Sequence, residues 1–493
     1  MNKILLAFSA IAISLFGAFT SNAQTQTSSK DIFTKIDNYL TAGSKNGFSG
    51  AISVIKNGET IINKGYGFAK KDAKTLNNPN TIFDIGSNTK QFTAIAILKL
   101  VELGKLNLTD SLHTYFNKLP IDKQNITIHQ LLTHTAGFEE SVGNDYSSFG
   151  KLSKITQKDF FEKLFASTLL SKPGEKYSYS NVGYSLLGRI IELVAEQSYE
   201  AFLNNFLFTP AGMMQTGYLL PKWNTKQLAL GYNRNIIKTE STVTLYQEAG
   251  DVNWHLKGNG GMNSTQNDML LWYKALKTNT ILSKESFKKL TTSYIPMNAK
   301  KTHGYSYGWI VNSSVSNTLR ISHSGSNGTY YHTLIWFPKK DIYIVYATNA
   351  NSSKVESIAY VVAKIVLDEN YSPTPIKNNV YSFAMKYIKQ HSANTSNDLF
   401  ILLQEKYTEE FSNSRFLNTF GNLLLRFNEN LDWALELFKY NVQHHPKDGN
   451  LWDSLGDGYR ANKQKEDAIK SYQKAVELGN KESQEKLNEL IKN

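Results

Sequence analysis

Three short clusters along the chain carry side chains able to work on a carbonyl group. Ser87-Asn88-Thr89-Lys90 sets a hydroxyl and an amine three residues apart, a spacing that shares one face at a helix start. A hydroxyl is a weak nucleophile until a base takes its proton. A lysine serves as that base when burial and neighbouring groups lower its pKa. Tyr179-Ser180-Asn181 follows a Pro173-Gly174 turn and puts a phenol and an amide on a loop ahead of a helix. A phenol near a lysine ionises more easily and shuttles a proton. In His323-Ser324-Gly325-Ser326 a glycine follows a strand. The missing side chain at Gly325 lets a substrate lie along the strand edge, and a backbone N–H after it faces a developing oxyanion. Taken singly, each cluster has a plainer explanation. Ser87 reads as an N-cap, Tyr179 and Asn181 as a buried aromatic and a turn residue, and His323 as an exposed side chain at a strand exit.

These groups need elements to hold them. Apolar residues at helical spacing predict a helix over 31–40, and Asn57-Gly58 between β-rich runs predicts a tight hairpin over 51–62. Phe92, Ile95, Ile97, Leu98 and Val101 predict a helix over 87–103 that stops at Gly104. The stretch from about 105 to 290 reads as helices and loops. Strands follow at 307–311, 318–322, 333–337 and 342–347, with turns at Asn312-Ser313-Ser314 and Pro338-Lys339-Lys340, and an apolar helix at 355–366. Strands at both ends with helices between imply one antiparallel sheet built from distant segments. The expected fold is α/β of the α+β type: a sheet covered by helices, a helical lobe, and an all-α C-terminal repeat domain.

The polar, proline-containing run Asp368–Pro375 reads as a boundary. The expected division is a signal peptide over 1–23, a first domain over 24–370, a linker over 371–378 and a helical domain over 379–493. In the last, Trp452, Leu455, Gly456, Tyr459, Ala468, Tyr472 and Ala475 match tetratricopeptide spacing. Ala434 and Phe438 lie 34 residues before Ala468 and Tyr472, and Pro446 falls at the repeat's usual proline. Each helix pair in such a repeat buries its apolar face only by stacking on a neighbour.

Together the three clusters resemble the serine β-lactamase and penicillin-binding-protein superfamily, in its class C-like branch. Leu131-Leu132-Thr133-His134-Thr135-Ala136-Gly137 is similar to that branch's LLTHTSG stretch, and Gly260-Gly261-Met262-Asn263-Ser264-Thr265 with Asp268 to its GGLxST…D stretch. The resemblance spans about 30–367. It implies that Ser87 is the nucleophile and that Lys90 helps deprotonate it. Tyr179 would act with Lys90 as general base and then as acid to the leaving group. Asn181 would bind the substrate amide or position Lys90, and the N–H groups of Ser87 and Ser326 would form an oxyanion hole. His323 stands where typical class C β-lactamases carry Lys. A lysine offers a substrate carboxylate a permanent cation, whereas a histidine is largely neutral at pH 7. The implied ranking is a broad peptidase or esterase first, a D-Ala-D-Ala carboxypeptidase second and a β-lactamase third. The rival from another class is a non-catalytic binding protein.

Composition bounds the remaining classes. The chain has 493 residues, 41% hydrophobic and 19% charged, which suits two or three globular units. It has no cysteine, hence no disulfide, thiolate nucleophile or lipid-bearing cysteine. The net charge of +12 is spread, with no Lys/Arg block of the kind that marks a nucleic-acid arm. His129, His134, His255, His303 and His332 show no recognised metal-ligand spacing, so neither metal nor cofactor is expected. Lys3, the apolar stretch Ile4–Phe19 and Ser21-Asn22-Ala23 form a signal-peptide layout. Cleavage after Ala23 into the periplasm or the medium is expected, with no membrane span remaining. A small-molecule or peptide substrate is expected, and a protein partner through residues 379–493.

Overall fold

The computed structural model describes residues 29–143, 155–315, 318–350, 355–368 and 370–492. The segment expected to be a signal peptide, residues 1–23, lies outside them. The chain divides into two compact units: one of residues up to Asn233 together with Lys238–Lys377, the other of Arg234–Ile237 together with Asn378–Asn493.

The first unit opens with a helix over 29–45, α1. Strands β1 (Gly50–Lys56) and β2 (Glu59–Tyr66) form the expected hairpin. Its turn residues Asn57 and Gly58 have φ of 53° and 79°, the left-handed pair that matches strand twist. After β3 (Phe83–Gly86) come α2 (Thr89–Glu102), α3 (Ile128–Leu132) and α4 (Asn181–Ala195), then β4 (Met262–Ser264) and α5 (Gln266–Lys277). The chain then adds β5 (Ile295–Pro296), β6 (Gly304–Tyr305), β7 (Ile310–Val315), β8 (Thr318–Ser326), β9 (Tyr331–Phe337), β10 (Ile342–Thr348) and α6 (Ile358–Leu367).

The main sheet has eight strands in the order β2-β1-β10-β9-β8-β7-β6-β5, and its pairs are antiparallel. The first strands of the chain join the last through β1 and β10, as expected from strands at both ends. Alternation along β9 and β10 splits two cores. Ile335, Phe337, Ile344 and Tyr346 pack with Ile36 and Leu40 of α1 and Val362 of α6. Leu334, Trp336, Tyr343 and Val345 face the other way, into the core shared with α2, α4 and α5. This period of two makes a three-layer structure. Helix α2 is buried nearly all round, because the sheet lies on one side of it and the helical lobe on the other. Among the described residues no helix is long and apolar enough to cross a membrane.

Two expectations shift. The strand expected at 307–311 is β7, which takes in the Asn312-Ser313-Ser314 expected as a turn. Asn312 pairs with Arg320, and a register irregularity between Asn312 and Val315 absorbs the polar run. The helix expected from residue 87 begins at Thr89, because the chain is still turning at Ser87 and Asn88.

The second unit is all helical apart from the inserted 234–237 segment. It contains α7 (Val380–Ile388), α8 (Ser396–Lys406), α9 (Ser414–Arg426), α10 (Leu431–His444), α11 (Gly449–Ala461), α12 (Lys465–Glu477) and α13 (Ser483–Lys492), besides shorter turns. Phe438 of α10 packs against Gly421 and Gly458, and Tyr472 of α12 against Gly456. The Arg234–Ile237 segment was not anticipated here. The Arg234 guanidinium lies 4.7 Å from the centre of the Tyr381 ring, Asn235 Nδ2 donates to Ser382 Oγ at 3.0 Å, and Ile237 joins the helical core.

Candidate active site

Ser87 occupies the turn between β3 and α2. Gly86 has φ of 50°, a conformation costly for a residue with a Cβ. The Asn88 N–H returns to the Ile85 carbonyl and the Lys90 N–H to the Ser87 carbonyl, each at 3.1 Å. Thr89 Oγ1 donates to the Gly86 carbonyl at 2.8 Å and accepts from the Met262 N–H at 3.2 Å, which fastens the turn to β4. Ser87 is half-buried, whereas Lys90 has no exposed surface.

A buried ammonium needs an acceptor for each N–H bond. Lys90 Nζ donates to Ser87 Oγ at 3.1 Å, to Asn181 Oδ1 at 2.7 Å and to the Asn259 carbonyl at 2.7 Å. It also stands 4.8 Å from the centre of the Tyr179 ring. Asn181 is placed as the first residue of α4. Ser180 caps that helix by accepting from the Gly183 N–H at 3.2 Å, and it donates to the Glu139 carbonyl at 2.8 Å.

The Tyr179 loop is hung on the Leu131–Gly137 segment. The Ser178 N–H reaches the His134 carbonyl at 2.8 Å, the Gly174 N–H the Thr135 carbonyl at 2.7 Å, and the Ser180 N–H the His134 Nδ1 at 3.1 Å. Because Nδ1 accepts, the imidazole proton resides on Nε2. The ring lies among Tyr179, Tyr305 and Tyr184, with centres 4.4, 4.6 and 5.0 Å away. Burial, then the charge of Lys90, holds its pKa well below the usual value, so His134 is neutral.

His323 is buried as well. Its Nδ1 lies 2.7 Å from the Ser324 carbonyl and therefore donates, which leaves Nε2 to accept from the Tyr305 hydroxyl at 3.3 Å. Burial and then Lys90 push its pKa down to about 3. Its ring centre is 6.4 Å from that of Tyr179. Next along β8, a Cβ on Gly325 would overlap the Ile85 carbonyl oxygen and stand 2.6 Å from the Ser87 nitrogen. A Cβ on Gly86 would stand 2.6 Å from the Ser326 nitrogen. The backbones of β3 and β8 therefore touch beside Ser87, and Ser326 is exposed at the end of the strand.

Ser87, Lys90, Tyr179, Asn181, His323, Gly325 and Ser326 thus gather in one place from segments more than 230 residues apart. Sequence reasoning missed His134, Tyr305 and the Asn259 carbonyl. His134 lay within a segment singled out for other reasons. No residue type marks a backbone carbonyl such as that of Asn259.

The family described as Beta-lactamase matches residues 36–367. This chain belongs to the beta-lactamase family. Among the relatives of this beta-lactamase family member, protein flp of Staphylococcus aureus strain NCTC 8325 is 31% identical over 367 residues, which is 72% of this chain and 70% of flp. The octameric penicillin-binding protein homologue from Pyrococcus abyssi is 27% identical with a TM-score of 0.58, covering 73% of this chain and 82% of that one. The penicillin-binding protein from Bacillus halodurans is 25% identical with a TM-score of 0.57, covering 66% and 98%. The shared fold is the sheet with its helices, which is the part of this beta-lactamase family chain that holds Ser87.

Proposed function

We propose that the chain is an exported serine hydrolase that cleaves amide, peptide or ester bonds through an acyl-enzyme on Ser87. The observation that carries this reading is the Lys90 ammonium, buried and directed at Ser87 Oγ and Asn181 Oδ1, 3.1 and 2.7 Å away. In the reaction, Ser87 Oγ bonds to the substrate carbonyl carbon while its proton passes to Tyr179, acting as a phenolate stabilised by the Lys90 ammonium. The Ser87 and Ser326 N–H groups take the oxyanion. The bond to the leaving group then breaks, and the proton returns to that group through Tyr179. Water repeats the sequence, releases the acid and restores the Ser87 hydroxyl. The Asn181 contact favours its role in positioning Lys90. Export rests on the signal-peptide layout of residues 1–23.

The state of His323 supports the ranking of substrates. Its Nδ1–H is committed to a carbonyl and its Nε2 to Tyr305, and it stays neutral. It therefore offers no cation to a substrate carboxylate. A broad peptidase or esterase comes first, a D-Ala-D-Ala carboxypeptidase second and a β-lactamase third. The helices after residue 378 are proposed as a tetratricopeptide-like platform for a protein partner.

The test is intact-mass spectrometry of the mature chain after a fluorophosphonate and, separately, a labelled penicillin. A Ser87 adduct with the fluorophosphonate alone is expected. Adducts with both would reorder the ranking towards penicillin-binding peptidases or β-lactamases, and turnover of the penicillin adduct separates those two. Ser87→Ala is expected to give no adduct and to lose ester hydrolysis. Absence of any adduct on the parent would leave a binding protein as the reading.

A further inference from the structure

Directly beneath the Ser87 turn lies a carboxylate that the reaction above does not use. Asp84, in β3, is 2% exposed. Its Oδ1 accepts the Gly86 N–H at 2.6 Å. Its Oδ2 accepts Asn327 Nδ2 at 2.9 Å, across 243 residues of chain. Asn327 immediately follows Ser326, and its own Oδ1 accepts the N–H groups of Thr329 and Tyr330 at 3.0 and 2.8 Å. One side chain therefore grips the residue before Ser87 and, through a single amide, the residue after Ser326.

No lysine, arginine or histidine is paired with Asp84 among the described residues. The groups around it are Thr242 and the phenols of Tyr246 and Tyr330. A buried carboxylate without a cation carries a large desolvation cost. An apolar residue at this position would avoid that cost, so stability alone does not account for Asp84. What a carboxylate supplies is two acceptors in fixed geometry, one for each strand. The strands it joins are those whose backbones meet at Gly86 and Gly325, where the two N–H groups assigned to the oxyanion lie.

We infer that Asp84 is a positioning residue for acyl transfer, setting the spacing of the Ser87 and Ser326 N–H groups through its hydrogen bonds to Gly86 and Asn327. This rests on the acyl-enzyme reading above and adds to it the device that aligns the oxyanion donors. Donors held in place before reaction stabilise the developing charge without reorganisation, and a displacement of about 1 Å costs on the order of 100-fold in rate.

The hydrogen-bond pattern dictates the test. In Asp84→Asn the amide oxygen must still accept the Gly86 N–H, so the new NH₂ faces the NH₂ of Asn327 and the link is lost. In the exchanged pair Asp84→Asn with Asn327→Asp, the amide donates and the carboxylate accepts. The second carboxylate oxygen then serves Thr329 and Tyr330, so the link between residues 84 and 327 is restored with its direction reversed while the Gly86, Thr329 and Tyr330 bonds are kept. Acylation of Ser87 by an activated ester is to be followed in the parent, both single variants, the double variant and Ser87→Ala, with melting temperatures alongside. The single variants are expected to lose about 10- to 100-fold in kcat with a smaller change in KM, and the exchanged pair to recover most of it. Asp84→Asn acylating at the parent rate would overturn the inference. So would an exchanged pair that recovers its melting temperature but not its kcat. A parent that fails to acylate, or a Ser87→Ala variant that acylates as fast, would instead overturn the acyl-enzyme reading itself.

Discussion

Four ionisable side chains around the Ser87 turn are buried, and each meets burial in its own way. Lys90 is buried but finds acceptors, His134 and His323 are buried and driven neutral, and Asp84 is buried with its pKa raised to about 6. The raised value has a signed consequence for stability. The folded chain holds the Asp84 proton more tightly than the unfolded chain, whose carboxyl titrates near 3.8. Stability from this group is therefore greatest below pH 4, falls as pH rises to about 6, and is level above that. An asparagine does not titrate. Melting temperatures of Asp84→Asn and the parent, compared at pH 4 and pH 7.5, are expected to shift in favour of the variant at the higher pH. A difference that is the same at both pH values would show that Asp84 does not titrate in this window.

At the scale of elements, the site depends on close approach of backbones. The Gly325 position in β8 has no room for a side chain, since a Cβ would meet the Ile85 carbonyl oxygen and the Ser87 nitrogen of the facing turn. Backbone atoms do not swing aside as a flexible side chain does. Gly325→Ala is expected to push β8 from the Ser87 turn and to reduce ester hydrolysis at least about 100-fold, read by kcat. The helical unit uses a glycine differently, to seat an aromatic ring. A methyl on Gly456 would overlap the buried Tyr472 ring. Overpacking of that kind costs about 1–3 kcal/mol, against the roughly 1 kcal/mol that alanine gains over glycine in a helix. Gly456→Ala is therefore expected to lower stability in urea titration. The hairpin, α2 and β8 to β10 were legible because their apolar periods are strong and their turns carry Asn-Gly or Pro. The two-residue strands β5 and β6 were not, since so short a run has no period, and the start of α2 was misplaced because a local turn overrides the helical pattern.

For the whole molecule, the informative feature is the Arg234–Ile237 segment. It belongs to the helical unit although it lies far from it in sequence, and Tyr381 and Ser382 provide its partners. A chain ending at Lys377 loses those partners and leaves Ile237 without its core. Such a chain is expected to melt at a lower temperature than the full chain while keeping fluorophosphonate labelling of Ser87. Unchanged melting would show that the segment needs no helical unit, and lost labelling would tie the helices to the chemistry.

What the linear chain determined by itself was the set of candidate residues and their local settings. A Ser-x-x-Lys at a helix start, a Tyr-x-Asn after a Pro-Gly turn and a His-x-Gly leaving a strand are short-range patterns, and so is the alternation that builds the sheet. Tertiary structure alone decided which buried groups meet. The Asn259 carbonyl on Lys90, the His134 ring against Tyr179, the Asp84–Asn327 link and the capture of residues 234–237 join segments from about 45 to more than 240 residues apart. Each is a matter of a few ångströms between groups whose residue types occur throughout the chain. Spacing along a sequence carries no information about such distances until the sheet and helices bring the segments together.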